Sequence, residues 1–166
     1  SQAGEAVVFN TGRIRSTGQG GVGITKNASV LSGNLRVENA KGALIQGGEG
    51  GAAIHLPSAG VERVTNHGVI LGGPLGQDMA ISGFGGADEI KNFGLIAGNI
   101  SLPGLTNNLV NAPNARIEAL LIEANGSVAL VQEGILNPNG PYRLGDLAVK
   151  ANYVSSNSSL YEADLV

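Results

Sequence analysis

The sequence predicts an all-β fold, a right-handed parallel β-helix that forms a single domain over residues 1–166. Two observations carry this prediction: a short motif that returns along the chain, and a composition rich in glycine but poor in charged residues. Glycine fills 27 of the 166 positions and hydrophobic residues make up 42%, whereas charged residues reach only 14%. The usual charged share of a soluble domain is about 25%. Such a composition disfavours a bundle of charged helices.

The main repeat joins a short aliphatic strand to a corner of asparagine and glycine. Residues 64–72 (VTNHGVILG) return 26 positions later as residues 90–98 (IKNFGLIAG), and related frames begin at Val8, Leu109 and Leu130. Asparagine and glycine tolerate the left-handed backbone that a sharp corner uses, so we expect that conformation at the corners. The repeat marks the following structural corner residues: Asn10, Gly12, Asn66, Gly68, Asn92, Gly94 and Asn111.

A second frame lies nine or ten residues before strands of the first, at residues 53–56, 80–81 and 99–102. A unit of about 20–26 residues cannot bury its apolar face alone, but copies stacked on one another can. Six or seven such coils, about 4.8 Å apart, would form a rod about 30 Å long. Asparagines at equivalent corners would then form a ladder of side-chain hydrogen bonds.

Alternation along each strand predicts which side chains face the interior. We expect Val64, Ile70 and Ile81 to point inward. We expect Thr65 and Val69 to lie outside or half covered.

Two structural alternatives remain open at this point. An antiparallel β-sandwich with glycine-rich hairpins also has short strands and frequent turns, although its core would normally use more aromatic residues. Residues 115–124 carry apolar side chains at helical spacing, with Asn114 placed to cap the start and Gly126 the end. This segment therefore predicts either a short helix or a pair of strands in an irregular coil.

The motif aliphatic-x-Asn-x-Gly-x-Ile-x-Gly, with residues 85–90 (GGADEI) beside it, resembles the passenger region of bacterial autotransporters, the type V secretion family. Residues 147–154 and 159–165 are similar to the last passenger coils of that family. The resemblance implies repeat coils over residues 1–119 and, over residues 120–166, C-terminal coils that nucleate folding during secretion. Pro113, which interrupts one copy of the repeat, and Gln132, which replaces an expected asparagine, depart from the pattern.

The same resemblance implies a secreted segment on the bacterial cell surface that acts as a structural stalk or adhesin scaffold. Its expected partner is an outer-membrane barrel of the same polypeptide, which this sequence does not include. The main alternative is a binding module that uses a flat β-helix face for self-association or for a host receptor or glycan. A polysaccharide-processing β-helix enzyme is a further alternative, but the acidic residues lie at unrelated register positions.

Composition and motifs give no reason to expect catalysis, a cofactor or a resident metal. The net charge is −3 and there is no cysteine, so neither a basic nucleic-acid surface nor a thiolate site is expected, and we expect no insertion of this segment into the membrane. The two histidines, His55 and His67, could be combined with Asp78 or Asp88 into a triad, but no nucleophile-elbow motif occurs. We expect His67 to be a surface residue.

One glycine-rich segment is close to a known ion-binding pattern. Residues 83–90 (GFGGADEI) nearly match the calcium-binding Gly-Gly-x-Gly-x-Asp repeat. The segment occurs once and the spacing from glycine to aspartate is shifted, so a turn before a strand is the expected structure.

Overall fold

The computed structural model describes residues 4–26, 33–57, 59–104, 106–126, 130–138, 146–157 and 159–161. Within these ranges the chain is all β: 20 strands form three sheets in which neighbouring strands run parallel. The predicted parallel β-helix is confirmed, and the antiparallel sandwich is wrong.

Each coil of the helix contributes one strand to each sheet, in chain order. Sheet A contains the strands that run into the asparagine corners: β1 (Glu5–Asn10), β4 (Asn34–Asn39), β7 (Arg63–Asn66), β10 (Glu89–Asn92), β13 (Asn108–Asn111), β16 (Leu130–Gln132) and β19 (Tyr153–Ser155). Sheet B contains the strands that leave those corners: β2 (Arg13–Arg15), β5 (Leu44–Gln46), β8 (Val69–Leu71), β11 (Leu95–Ala97), β14 (Arg116–Ala119), β17 (Ile135–Pro138) and β20 (Leu160–Tyr161).

Sheet C closes each coil: β3 (Ile24–Thr25), β6 (Ile54–Leu56), β9 (Met79–Gly83), β12 (Asn99–Leu102), β15 (Leu121–Ala124) and β18 (Ala148–Ala151). The described strands therefore make six complete coils and two strands of a seventh. The second sequence frame corresponds to sheet C, since residues 54–56, 79–83 and 99–102 form its consecutive strands.

The core is a set of aliphatic columns parallel to the coil axis. In sheet B, Ile45, Ile70 and Ile96 occupy the same register position in successive coils, and all three are fully buried. In sheet C, Ile54 and Ile81 stack in the same way. The predicted inward orientation of Val64, Ile70 and Ile81 is confirmed, and Thr65 and Val69 are half-buried as expected.

The helix considered for residues 115–124 is absent; the alternative, two strands, is correct. Both β14 and β15 alternate between half-buried and buried side chains, which is the period of a strand. Leu120, which a helix would bury, lies between the strands and is 38% exposed. Pairing of Ile117 with Ile96 in the preceding coil overrides the local helical spacing.

Candidate functional site

A row of amides runs along the corner between sheets A and B. This asparagine ladder consists of one side chain from each of six coils: Asn10, Asn39, Asn66, Asn92, Asn111 and Gln132. Each Nδ2 donates to the side-chain oxygen of the next coil over 2.8–3.0 Å. All six side chains are buried, so each rung satisfies amide groups that would otherwise be costly to remove from water.

Three of the corners are short and have glycine two residues after the asparagine. The Oδ1 of Asn66 accepts the backbone N–H of Gly68 over 3.2 Å, and Asn92 and Gly94 repeat this contact. A Cβ on Gly94 would lie 2.2 Å from the backbone oxygen of Gly68 in the coil above. The glycine is therefore needed because adjacent corners approach closely.

Left-handed backbone, expected at the corner residues, is not found at them. Among the described non-glycine residues only Asn114 has a positive φ, of 66°. The corner asparagines end strands in extended conformation, and their side chains, rather than an unusual backbone, make the turn.

Two corners are longer and turn through an ordinary β-turn. The N–H of Ala115 donates to the oxygen of Ala112 over 3.0 Å, with Pro113 and Asn114 at the two central positions. Proline suits the first central position and a left-handed residue the second, as in a type II turn. Pro113 therefore does not interrupt the coil. Asn39 begins the equivalent long corner. The sequence repeat does not mark Asn39, because its glycine, Gly42, follows three residues later rather than two.

The ladder ends at Gln132. Its oxygen accepts from Asn111 over 3.0 Å, but its Nε2 is buried and has no hydrogen-bond partner among the described residues. In the next coil the register partner is Ser155, whose side chain is shorter than that of asparagine.

An exposed groove lies on the outer side of the same corner, with a volume of about 550 Å³. We call it the aromatic groove; it is lined by Phe9, Glu38, Asn39, Ala40, Lys41, Thr65, His67 and Phe93. The rings of His67 and Phe93 stack in adjacent coils with centroids 4.8 Å apart and planes 8° apart. The expectation that His67 is a surface residue is confirmed. The small Ala40 in the coil above leaves one side of the stack open.

The outer face of sheet A beside the groove is charged. Glu89 contacts Lys91 over 2.6 Å and Arg63 over 3.3 Å. The hydrogen bond from Lys91, and then that from Arg63, lower the pKa of Glu89 below its usual range, although burial acts against this. These pairs are exposed and contribute little to the free energy of unfolding.

His55 meets a serine, not a carboxylate. Its Nδ1 lies 2.9 Å from the Oγ of Ser82 on the outer face of sheet C. Ser101 and Glu123 follow in the next coils and are joined by a hydrogen bond of 3.1 Å. No carboxylate of the described residues contacts His55. In a hydrolytic triad a carboxylate orients the histidine. His55 lies on an open sheet face without such a contact, so this arrangement does not resemble a triad.

The two aspartates considered for a triad lie elsewhere. An oxygen of Asp78 accepts the backbone N–H of Gly50 over 2.9 Å. Asp88 is 2% exposed and lies shortly after the bend formed by residues 85–86. Burial, and then the charge of Glu62, raise the pKa of Asp88 to about 7, whereas the backbone N–H of Glu62 acts in the opposite direction. The structure therefore brings neither aspartate to a histidine.

The described ranges contain no group of three or more His, Cys, Asp or Glu side chains that could share a metal ion. They also contain no helix long and apolar enough to cross a membrane.

The comparisons with known proteins do not assign the chain to a family. No protein-family model, no curated protein and no solved structure matches it.

Proposed function

We propose that this chain is a structural segment of an autotransporter passenger, a stiff stalk that is displayed on the bacterial cell surface and holds other regions away from the membrane. The observation that supports this proposal is the uninterrupted asparagine ladder, which runs through six successive coils beside the aliphatic columns. Because the same side-chain hydrogen bonds and aliphatic contacts recur in successive coils, no single coil is a weak point at which the rod would bend. The proposal assigns the chain no catalytic role and no cofactor.

The rod also supports a mechanism for folding during secretion. Each finished coil presents three strand edges, with free N–H and C=O groups, on which the next coil can pair. Folding can therefore propagate along the axis without an external energy source. By the family resemblance, residues 120–166 would form first and template the coils before them.

Display is tested by fusing the chain ahead of an outer-membrane barrel of known export competence in a Gram-negative host. We expect the fused chain to reach the surface and to resist externally added protease. Retention in the periplasm, while the native passenger of that barrel is displayed, would contradict the proposal.

The order of folding is tested with two matched substitutions in the same fusion. Leu130 and Leu56 are both fully buried, one in the C-terminal coils and one in the earlier coils. If the C-terminal coils fold first, Leu130→Ala should slow refolding and reduce display more than Leu56→Ala. Equal slowing by the two variants would remove the nucleating role and leave the stalk proposal intact.

A binding module is the second candidate, and the aromatic groove supports it. Phe9 and Phe93 are 64% and 47% exposed, and exposed apolar surface of this kind often marks a contact. Self-association would appear as a sedimentation coefficient that rises with concentration and is restored to the monomer value by Phe93→Ala. Binding of a host glycan or receptor would appear instead as a groove-dependent interaction of the monomer.

A further inference from the structure

The corner between sheets A and B carries an aromatic stack that stops after two rings. Ala40, His67 and Phe93 each follow a ladder asparagine, and these three asparagines share one register position in successive coils. The rings of His67 and Phe93 stack at a centroid distance of 4.8 Å with their planes 8° apart. In the coil above, Ala40 contributes only a methyl group. Among the described residues no second ring stacks on His67, so its other face is open.

The space above Ala40 belongs to the aromatic groove. The groove volume of about 550 Å³ lies within the range of small-ligand sites, about 300–1,000 Å³. Phe9 lines the groove from the first coil, two coils away from His67. Two strand spacings are about 9.6 Å, and a flat ring with van der Waals contacts on both faces takes about 7–8 Å. The groove can therefore hold one further ring on the open face of His67.

The charges of the groove favour an acidic ligand. The hydroxyl of Thr65, the imidazole of His67 and the ammonium of Lys41 have no hydrogen-bond or ion-pair partner among the described residues. The carboxylate of Glu38, which also lines the groove, is paired with Arg36. Lys41 is therefore the uncompensated charge, and it complements a ligand carboxylate.

The same groups favour an aromatic ring over a sugar ring. Each hydroxyl of a sugar is a hydrogen-bond donor, and Glu38, the only carboxylate among the described lining residues, already accepts from Arg36. An aromatic side chain needs no such acceptors. It also continues the stack that His67 and Phe93 begin, in the offset-stacked arrangement that aromatic pairs prefer.

Building on the second candidate function, a binding module, we propose that the aromatic groove binds a protein partner through one aromatic side chain that lies beside an acidic residue. The ring stacks on the open face of His67 above Ala40, and the neighbouring carboxylate contacts Lys41. Aromatic side chains that fill pockets dominate the binding energy of many protein interfaces. Because the stack of His67 and Phe93 exists before the partner binds, the wall of the groove needs little ordering.

The test uses a fluorescent peptide and the whole chain. The probe is the tetrapeptide Gly-Asp-Trp-Gly, acetylated and amidated at its ends. This chain contains no tryptophan, so tryptophan fluorescence reports on the probe alone. We expect saturable binding, with competition by the same peptide carrying phenylalanine instead of tryptophan. Cyclohexylalanine, a ring of similar size without a π system, should compete about 2- to 12-fold more weakly than phenylalanine. Asparagine in place of the aspartate should weaken competition about 1.5- to 5-fold.

Three variants locate the peptide on the chain. Ala40→Phe supplies the missing ring from the chain itself and should abolish binding. Lys41→Gln should remove the difference between the aspartate and asparagine peptides, and it decides the question if Ala40→Phe does not fold. Lys150→Gln, at an exposed lysine on sheet C, is the matched control and should bind like the parent.

The contrary outcomes separate this inference from the binding module on which it rests. If the peptide does not bind and the chain self-associates through Phe93, the groove is a contact between copies; the binding module stands and this inference is wrong. If oligosaccharides bind in place of the peptide and Ala40→Phe abolishes their binding, the ligand is a glycan. Equal competition by the phenylalanine and cyclohexylalanine peptides would overturn the stacking. Absence of peptide binding, oligosaccharide binding and self-association would remove the binding module as well and leave the stalk proposal intact.

Discussion

The Nδ2 of Asn66 lies 2.8 Å from the Oδ1 of Asn92, in the next coil. The same nitrogen is 3.0 Å from the backbone oxygen of Leu95, beyond the Asn92 corner, and the Oδ1 of Asn66 accepts the N–H of Gly68. One amide therefore ties two coils together and also makes its own turn, which explains why the corner asparagine recurs when neighbouring residues vary.

Asn66→Ala should lower the free energy of unfolding by about 1–3 kcal/mol, because it leaves buried donors and acceptors of the corner unpaired. Asn108→Ala is the matched control: Asn108 is exposed on the outer face of sheet A, and its loss should change stability by less than about 0.5 kcal/mol. Urea unfolding followed by circular dichroism measures both. Equal effects would show that the ladder does not stabilise the rod.

Ile96 tests the aliphatic columns. It is fully buried between Ile70 and Ile117, so Ile96→Asp places an unpaired charge in the core and should cost about 3–5 kcal/mol. Leu120→Asp, at a residue that is 38% exposed in the next coil, should cost far less. Thermal melting of both variants provides the comparison. An Ile96→Asp variant that melts with the parent would mean that the register of sheet B is wrong.

Gly94 and Gly12 share a corner position but differ in what surrounds them. A Cβ on Gly94 would lie 2.2 Å from the oxygen of Gly68, whereas one on Gly12 would have nothing within 4 Å. Gly94→Ala should therefore force the two coils apart and destabilise the chain by about 1–3 kcal/mol. Gly12→Ala should be neutral or slightly stabilising, since it reduces the freedom of the unfolded chain. Chemical denaturation of the pair distinguishes close coil packing from a general need for glycine.

The fold was accessible from the sequence because the same physical requirement recurs at every coil. An inward aliphatic such as Ile70 or Ile96 must stack on its counterpart, so period-two alternation and a repeated spacing appear together in the sequence. The hydrophobic pattern of residues 115–124 fits a helix as well as two strands, because helical spacing and strand alternation share several positions in so short a segment. Only the pairing of Ile117 with Ile96, a contact between coils, distinguishes the two structures.

The side-chain arrangements on the coils were harder to foresee because coil length varies. Successive ladder residues are separated by 29, 27, 26, 19 and 21 positions. A fixed offset of 26 therefore aligns Asn66 with Asn92, and Glu62 with Asp88, but it misses Asn39 and does not place His55 beside Ser82. Insertions between sheets change the spacing without changing the register, so such neighbours become visible only in three dimensions.

The stacked rings of His67 and Phe93 give a final prediction, on the outer side of the corner. Their planes are 8° apart at a centroid distance of 4.8 Å, so a double-mutant cycle with His67→Ala and Phe93→Ala should show a coupling free energy of about 0.5–1.5 kcal/mol. Phe9 also lines the aromatic groove, but its strand lies three coils from that of Phe93. Phe9→Ala and Phe93→Ala should accordingly be additive within about 0.5 kcal/mol.

If the pair His67 and Phe93 is coupled and the pair Phe9 and Phe93 is not, the groove has a preformed wall, against which a planar ligand group could stack above Ala40. Additivity of both pairs would mean that the rings are independent, which would weaken the case for the groove as a binding site.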